Sequence, residues 1–309
     1  MKVLCIGAGA IGGYFGGALA EAGHEVSFVA RGETLKALRE RGLLLKNGEE
    51  SARTIRVHAA ERAGSAADLL GGADIVLVAT KALPDNPTFA DLKDAHQLAG
   101  VPIVTTQNSV EVHDTAAALF GTDRVFAGVA RCYATRVGPA EIQLNPGPLS
   151  LNFGRVEGAS ESEVALAFRA ALDEAGIGGD YLTPGEILVD VWAKAMFVST
   201  TGALGAVAQA PMGVLRDALR PQLRALMKEV EAAARGNGVE LPADVVEQTL
   251  AFADRQYAGA TSSMHRDIAA GLPSELDAQV GAIRRKAATA GVPTPLLDYT
   301  EAVLSVRTS

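Results

Sequence analysis

The sequence is poor in the residues that staple or metallate a protein: it has two cysteines and five histidines among 309 residues. Only Cys5 and Cys132 occur, one in a presumed core strand, so no disulfide is expected and a reducing cytoplasm is the simpler setting. His24 lies in a helix-to-strand turn, and His58, His96 and His113 stand in polar contexts that read as surface. None has a metal-ligand spacing, and no metal site is expected. Basic charge is also scarce. A formal net charge of −8 argues against a nucleic-acid surface, although local basic pockets remain allowed. Long uninterrupted apolar runs are missing as well. The most apolar segment, 187–210, carries Asp190 and Lys194 in its first turns and makes a poor membrane span. The first residues, MKVLCIGAGAIGG, only faintly imitate a secretory signal.

What remains is a globular composition, 48% hydrophobic and 21% charged, at a length that suits two domains. Residues 3–6 are a short apolar run followed by glycines, which predicts a buried strand feeding a helix over 10–21 that Gly23 terminates. Strands follow at 25–30, 75–80 and 103–106 with helical segments between them, a βαβ pattern that implies a parallel sheet. Residues 42–57, with Asn47-Gly48, read as an inserted β-hairpin. After Arg124 the texture predicts separate short strands at 125–129, 140–143 and 149–153, then a helix over 161–174. Thr183, Pro184 and Glu186 then spell a capping box with proline at the first helical position. Beyond it the periodicities are helical. The expected fold is α/β: a doubly wound sheet in residues 1–182, followed by an all-helical domain in residues 183–309.

Gly7, Gly9 and Gly12 form GxGxxG directly after a strand and at the mouth of a helix. In a Rossmann-type sheet the turn made by Gly7, Ala8, Gly9, Ala10, Ile11 and Gly12 places a dinucleotide's pyrophosphate at the helix N-terminus. The plainer alternative is a glycine-rich turn that binds nothing. An NAD site usually has an acid at the end of the second strand, whereas this sequence has Arg31, whose guanidinium suits the 2′-phosphate of NADP. A solvated loop arginine is the competing reading. Lys81 follows the strand at 75–80, at a carboxyl end of the sheet where ligands bind in such folds, or else it is an exposed loop lysine. Asn108 follows the next strand. With Glu111 it forms an N-cap and N3 pair for a helix over 109–120, a role that does not exclude ligand contact.

Lys194 stands among Val191, Trp192, Ala193, Ala195, Met196, Phe197 and Val198. An ion pair with Asp190, four residues earlier, accounts for it plainly. A partly desolvated lysine can also donate a proton to the alkoxide that forms as hydride reaches a carbonyl. In the stretch TSSMHRDIAAGLPSELD, helical spacing puts Ser263 and Asp267 on one face, with His265 pointing elsewhere. Glu275 reads as an acid in the first turn of the next helix.

These residues together resemble the ketopantoate reductase (2-dehydropantoate 2-reductase) family over nearly the whole chain. The resemblance is carried by GAGAIGGYFG, VAR ending at Arg31, ATKA around Lys81, QNS around Asn108, VWAK ending at Lys194, SSMHRDI from Ser262 and PSELD around Glu275. It implies NADP(H) as cofactor, a small-molecule 2-keto acid as substrate and a cytoplasmic enzyme of pantothenate biosynthesis. It leaves a homodimer open and gives no place to nucleic acid or a membrane. It also implies Lys194 as general acid and Glu275 as the residue that helps to position it and contacts the bound ligands. Asn108 would lie where nicotinamide and substrate meet, Ala134 beside the cofactor, and Ser263 at the substrate carboxylate. The sequence departs from the family at Val198 and Gly202, where amides commonly bind substrate hydroxyls, and at Met212, a polar contact in some members. Two alternatives to ketopantoate reduction stand beside it: the same chemistry on a less hydroxylated keto acid, and a non-catalytic NADP-binding sensor or assembly module.

Overall fold

A computed structural model describes residues 1–158 and 161–308. The chain forms two compact units. The first comprises Met1–Thr80, Asn86–Gln107 and His113–Ile187, and the second Lys81–Asp85, Asn108–Val112 and Leu188–Ser309.

The first unit is built on one mixed sheet. In chain order its elements are β1 (Lys2–Ile6), α1 (Ala10–Glu21), β2 (Glu25–Val29), α2 (Gly32–Glu40), β3 (Leu43–Asn47), β4 (Arg53–Ile55), β5 (His58–Ala60) and α3 (Ala63–Asp68). They continue with β6 (Ile75–Val78), α4 (Thr88–Asp94), β7 (Ile103–Thr105), α5 (Val112–Phe120), β8 (Val125–Gly138), β9 (Glu141–Gly154) and α6 (Glu163–Glu174). The nine strands run in the order β4-β3-β9-β8-β7-β6-β1-β2-β5. From β5 to β8 all neighbours are parallel, while β9 runs antiparallel to β8 and β4 antiparallel to β3. The chain winds from β1 to β2 on one side, then crosses to β6 on the other, so the strand order reverses between β1 and β6. This is the doubly wound α/β arrangement, with its switch point at the carboxyl ends of those two strands.

Burial on both faces explains why β1 and β6 read as continuous apolar runs: Val3, Leu4, Cys5 and Ile75 to Val78 are all buried. Helix α1 comes close to the sheet because it carries glycines. A Cβ on Gly16 would lie 2.5 Å from the Phe28 ring, and one on Gly17 would lie 2.6 Å from Leu43 Cδ2. The hairpin expected over 42–57 is β3 and β4, paired from Leu43↔Ile55 to Leu45↔Arg53.

Three expectations need correction. The short strands after Arg124 are two long ones, β8 and β9, of 14 residues each. Between the pairs Cys132↔Leu149 and Ala134↔Leu144 the register shifts, leaving residues 145–148 opposite Tyr133 alone. Pro146 and Pro148 fall in that bulge, where no ladder donor is required, so they interrupt the pairing without ending the strand. Helix α5 begins at Val112, not at 109, and the Glu111 amide donates to Ser109 Oγ at 3.2 Å. Asn108 is therefore not its N-cap. His113 is buried, 3% exposed, where a surface position was expected.

The second unit is helical: α7 (Pro184–Ala208) from Leu188 onward, α8 (Met212–Arg216), α9 (Arg220–Gly236), α10 (Val245–Asp254), α11 (Ser263–Ala269), α12 (Ala282–Thr289) and α13 (Pro295–Thr308). A π-helical turn, Asp277–Gly281, leads into α12. Thr183 and Glu186 meet at the start of α7, the threonine amide and hydroxyl donating to the carboxylate at 3.0 and 2.6 Å. Among the described residues α7 is the one helix long and apolar enough to cross a membrane, and 61% of its most apolar window is buried within the protein. A helix apolar on most sides is what a core position requires.

Candidate active site

In the sheet unit the glycine turn separates into two kinds of glycine. Gly7 has φ +100°, and a Cβ there would lie 2.9 Å from Thr80 Cγ2. A Cβ on Gly12 would lie 2.1 Å from the Gly7 carbonyl oxygen and 2.9 Å from Ala79 Cβ. Packing within the unit accounts for both. Gly9 has nothing within 4 Å of its would-be Cβ, so the protein's own atoms give no reason for a glycine there. The α1 N-terminus beside it has no side-chain cap and no acidic residue in its first turn. Unpaired backbone N–H groups, the positive end of the helix dipole and an open approach at Gly9 fit a pyrophosphate. Ala8, Ala10 and Ile11 complete the turn. Arg31 occupies the position before α2 with an extended backbone. Its side chain is exposed and has no hydrogen-bond or ion-pair partner among the described residues. Ala134 sits half-buried on β8 opposite Leu144.

The helical unit gathers the chemistry. Glu275 lies just before the π-helical turn rather than within the first turn of a regular helix, and it is 6% exposed. Its Oε1 accepts from the Ala82 amide at 3.0 Å, and its Oε2 lies 3.4 Å from Gln279 Nε2. Burial pushes its carboxyl pKa up. The Ala82 bond and the charges of Lys81 and Lys194 oppose that rise, while Asp267 adds to it. Lys81 is 45% exposed and donates from Nζ to Asp267 Oδ2 at 2.6 Å. Lys194 is half-buried on α7. Lys81, Lys194, Asp267 and Glu275 thus share one electrostatic neighbourhood, with the carboxylate at its most buried point.

Asn108 is half-buried and Ser263, the first residue of α11, is exposed. Neither side chain has a hydrogen-bond partner among the described residues, so both amide and hydroxyl are uncommitted. The cap of α11 is Ser262, whose hydroxyl accepts from the His265 amide at 3.0 Å. His265 is buried, and its burial, with the charge of Arg266, lowers its imidazole pKa. Val198 is half-buried one turn beyond Lys194. Gly202 does not repeat that geometry as an open pocket wall: a Cβ there would lie 2.8 Å from Met264 Cε and 3.0 Å from Ser262 Oγ. Cys5 and Cys132 are both free, and burial pushes each thiol up to about 12, so neither supplies a ready thiolate.

Sequence reasoning missed the partners. Helical spacing puts Asp267 on the Ser263 face but gives it no role, and nothing in the spacing points to Ala82 as the donor to Glu275. Such contacts join positions nearly two hundred residues apart, which no local pattern can encode.

A doubly wound mixed sheet with a glycine turn at its switch point, and a helical unit holding a lysine and a buried glutamate, are the parts of a dinucleotide-dependent oxidoreductase. Residues 3–158 match the family described as ketopantoate reductase PanE/ApbA, and residues 186–307 match its C-terminal counterpart. The chain belongs to the ketopantoate reductase family. It is similar to a 2-dehydropantoate 2-reductase of Mesorhizobium japonicum, 30% identical over 96% of this chain and 95% of that relative. The crystal structure of 2-dehydropantoate 2-reductase from Methylococcus capsulatus is similar at a TM-score of 0.87 and 28% identity, covering 100% of this chain and 98% of that one. A D-mandelate dehydrogenase solved with NADH and anilino(oxo)acetate shares the fold, with a TM-score of 0.87 at 22% identity and the same coverage.

Proposed function

We propose that the protein is a cytoplasmic NADPH-dependent reductase that converts a 2-keto acid to the 2-hydroxy acid, with ketopantoate to pantoate, in pantothenate biosynthesis, as the first reading. The observation that carries it is the buried Glu275 carboxyl, with Lys81 and Lys194 as its neighbouring cations. The glycine turn at 7–12 and Arg31 would hold the cofactor, which would supply a hydride for the keto carbon. Lys194 gives a proton from Nζ to the oxygen that becomes alkoxide, and is reprotonated from solvent. Glu275 holds negative charge near that ammonium and keeps it in place. Asn108 and Ser263, whose side chains have no hydrogen-bond partner among the described residues, take the keto-acid group. Arg31, with no acidic partner among the described residues, supports NADPH over NADH, because such a guanidinium makes charge-assisted bonds to a 2′-phosphate. Incubation with NADPH and ketopantoate, followed by loss of the nicotinamide absorbance, tests this reading. A protein that binds NADPH yet completes no turnover with any 2-keto acid would be the sensor or assembly module instead.

One feature favours a second substrate. Val198 borders Lys194 without a side-chain hydrogen bond, and the space at Gly202 is taken by Met264 and Ser262. A pocket that pairs a substrate hydroxyl rejects analogues lacking it by about 10⁴–10⁵-fold, whereas an apolar pocket discriminates by only about 10². A branched 2-keto acid without the terminal hydroxyl is therefore reduced at an efficiency comparable to that for ketopantoate, or above it. A preference for ketopantoate greater than about 10³-fold excludes the second reading.

A further inference from the structure

Residues 108–112 leave β7 and belong with the helical unit, where a charged clamp holds them. Arg285 on α12 donates to Glu111 Oε2 from Nε at 3.0 Å and from Nη2 at 2.9 Å. The same guanidinium donates to Asp277, Nη1 to Oδ1 at 2.7 Å and Nη2 to Oδ2 at 3.2 Å. A planar fork with five donors can serve two carboxylates at once, which an ammonium cannot do with fixed geometry. The local backbone makes room for it. Gly281 lies midway between Asp277 and Arg285 at the end of the π-helical turn. A Cβ there would stand 2.7 Å from Asp277 Oδ1 and 3.0 Å from Arg285 Nη1.

Arg285 and Asp277 are both about half exposed, at 51% and 53%, so that pair is worth only about 0–1 kcal/mol, while Glu111, at 24%, is the more buried partner. The clamp's effect is on position. Glu111 is not committed to capping α5, and its amide closes a turn on Ser109 Oγ, so fixing Glu111 fixes the backbone that carries Asn108. Among the described residues the Asn108 amide has no partner of its own to hold it.

We propose that Arg285 is a positioning residue for the reduction, acting through Glu111 to hold the Asn108 amide where it meets the bound keto acid. This rests on the reading of Asn108 as a ligand contact. A displacement of about 1 Å in such a contact can cost about 10²-fold in rate, far more than the clamp's share of stability.

The test measures kcat/KM for the keto acid with saturating NADPH, and the melting temperature, for Asn108→Ala, Arg285→Leu and the double variant. Arg285→Leu is expected to lower kcat/KM about tenfold while melting within about 4 °C of wild type, and to cost less than about twofold in the Asn108→Ala background. Glu111→Leu, which removes the clamp from its other side, should reproduce both results. Glu111→Gln, which keeps an acceptor for Arg285, should stay within about threefold of wild type. Fully additive losses, or an Arg285→Leu enzyme as efficient as wild type, overturn the proposal. A silent Asn108→Ala variant overturns the ligand role of Asn108 itself, and the proposal with it.

Discussion

Alanine at Gly9 and alanine at Gly12 should have opposite consequences, although the two glycines belong to one motif. At Gly12 the new Cβ would stand 2.1 Å from the Gly7 carbonyl oxygen, an obstacle of backbone that cannot rotate away. Overpacking of this kind costs about 1–3 kcal/mol and sometimes more, and a clash this short with main chain belongs at the upper end. At about 2–4 °C per kcal/mol, the melting temperature should fall by about 6–12 °C. At Gly9 the Cβ meets nothing within 4 Å, and the backbone, φ −79° and ψ −165°, lies in a region that alanine adopts freely. Losing unfolded-chain entropy should then stabilise the protein by about 0.4–1 kcal/mol. The cost at Gly9 should appear in binding, because the methyl group occupies the approach to the α1 N-terminus. Loss of one hydrogen bond to a charged group, about 1.5–3 kcal/mol, corresponds to roughly a 10- to 150-fold weaker NADPH complex. Thermal melts without ligand and fluorescence titrations with NADPH measure the two effects separately. A Gly9→Ala variant that melts as low as Gly12→Ala, or that binds NADPH as tightly as the wild type, would refute these assignments.

Arg31→Ala should weaken NADPH binding about 10- to 150-fold and leave NADH binding nearly unchanged; equal affinity of the wild type for both dinucleotides would refute the role of Arg31. Lys194→Ala should lower kcat about 10²–10⁴-fold with NADPH affinity retained, and a variant keeping more than about a tenth of wild-type turnover would leave Lys194 without a catalytic role. Glu275 is an acid whose carboxyl pKa is raised in the folded state above its ordinary value of 4.5, so its protonated form stabilises the fold fully below that value and the benefit is lost as pH rises through the folded pKa. Glu275→Gln keeps an acceptor for the Ala82 amide and removes the buried charge, so its melting temperature should gain on the wild type between acidic and neutral pH; parallel pH curves for the two would count against this. Val198→Asn should shift the ratio of kcat/KM towards ketopantoate and away from its analogue lacking the hydroxyl, and an unchanged ratio would place the discriminating contact elsewhere.

Much of the sheet was legible because buried parallel strands are written as apolar runs and the glycine turn has a fixed spacing. Residues 3–6 and 75–80 needed nothing beyond that pattern. The β8–β9 ribbon was not legible. Pro146 and Pro148 carry the usual signal of a strand end, and only the paired register shows that they fall in a bulge. The Asn108–Glu111 pair failed for a related reason. Its spacing satisfies the capping pattern, but α5 begins only at Val112 and the Glu111 carboxylate is paired with Arg285, far along the chain. In the helical unit the lysine and glutamate drew attention through their surroundings or their resemblance to a family. The network around them could not be seen, because Lys81–Asp267 and Ala82–Glu275 are tertiary contacts with no local signature.

The segments Lys81–Asp85 and Asn108–Val112 leave the sheet unit and belong to the helical one, although the strands before them do not. The linear order of the chain therefore does not divide where its architecture does. A gene fragment encoding residues 1–182 would carry both segments away from their neighbours, and one encoding residues 183–309 would leave Glu275 buried without the Ala82 donor. Grafting the helical half onto another nucleotide-binding sheet would meet the same obstacle unless both short segments travelled with it. Three separate pieces of sequence, Lys81–Asp85, Asn108–Val112 and Leu188–Ser309, therefore make up one unit, and a working transplant of the helical half has to carry all three.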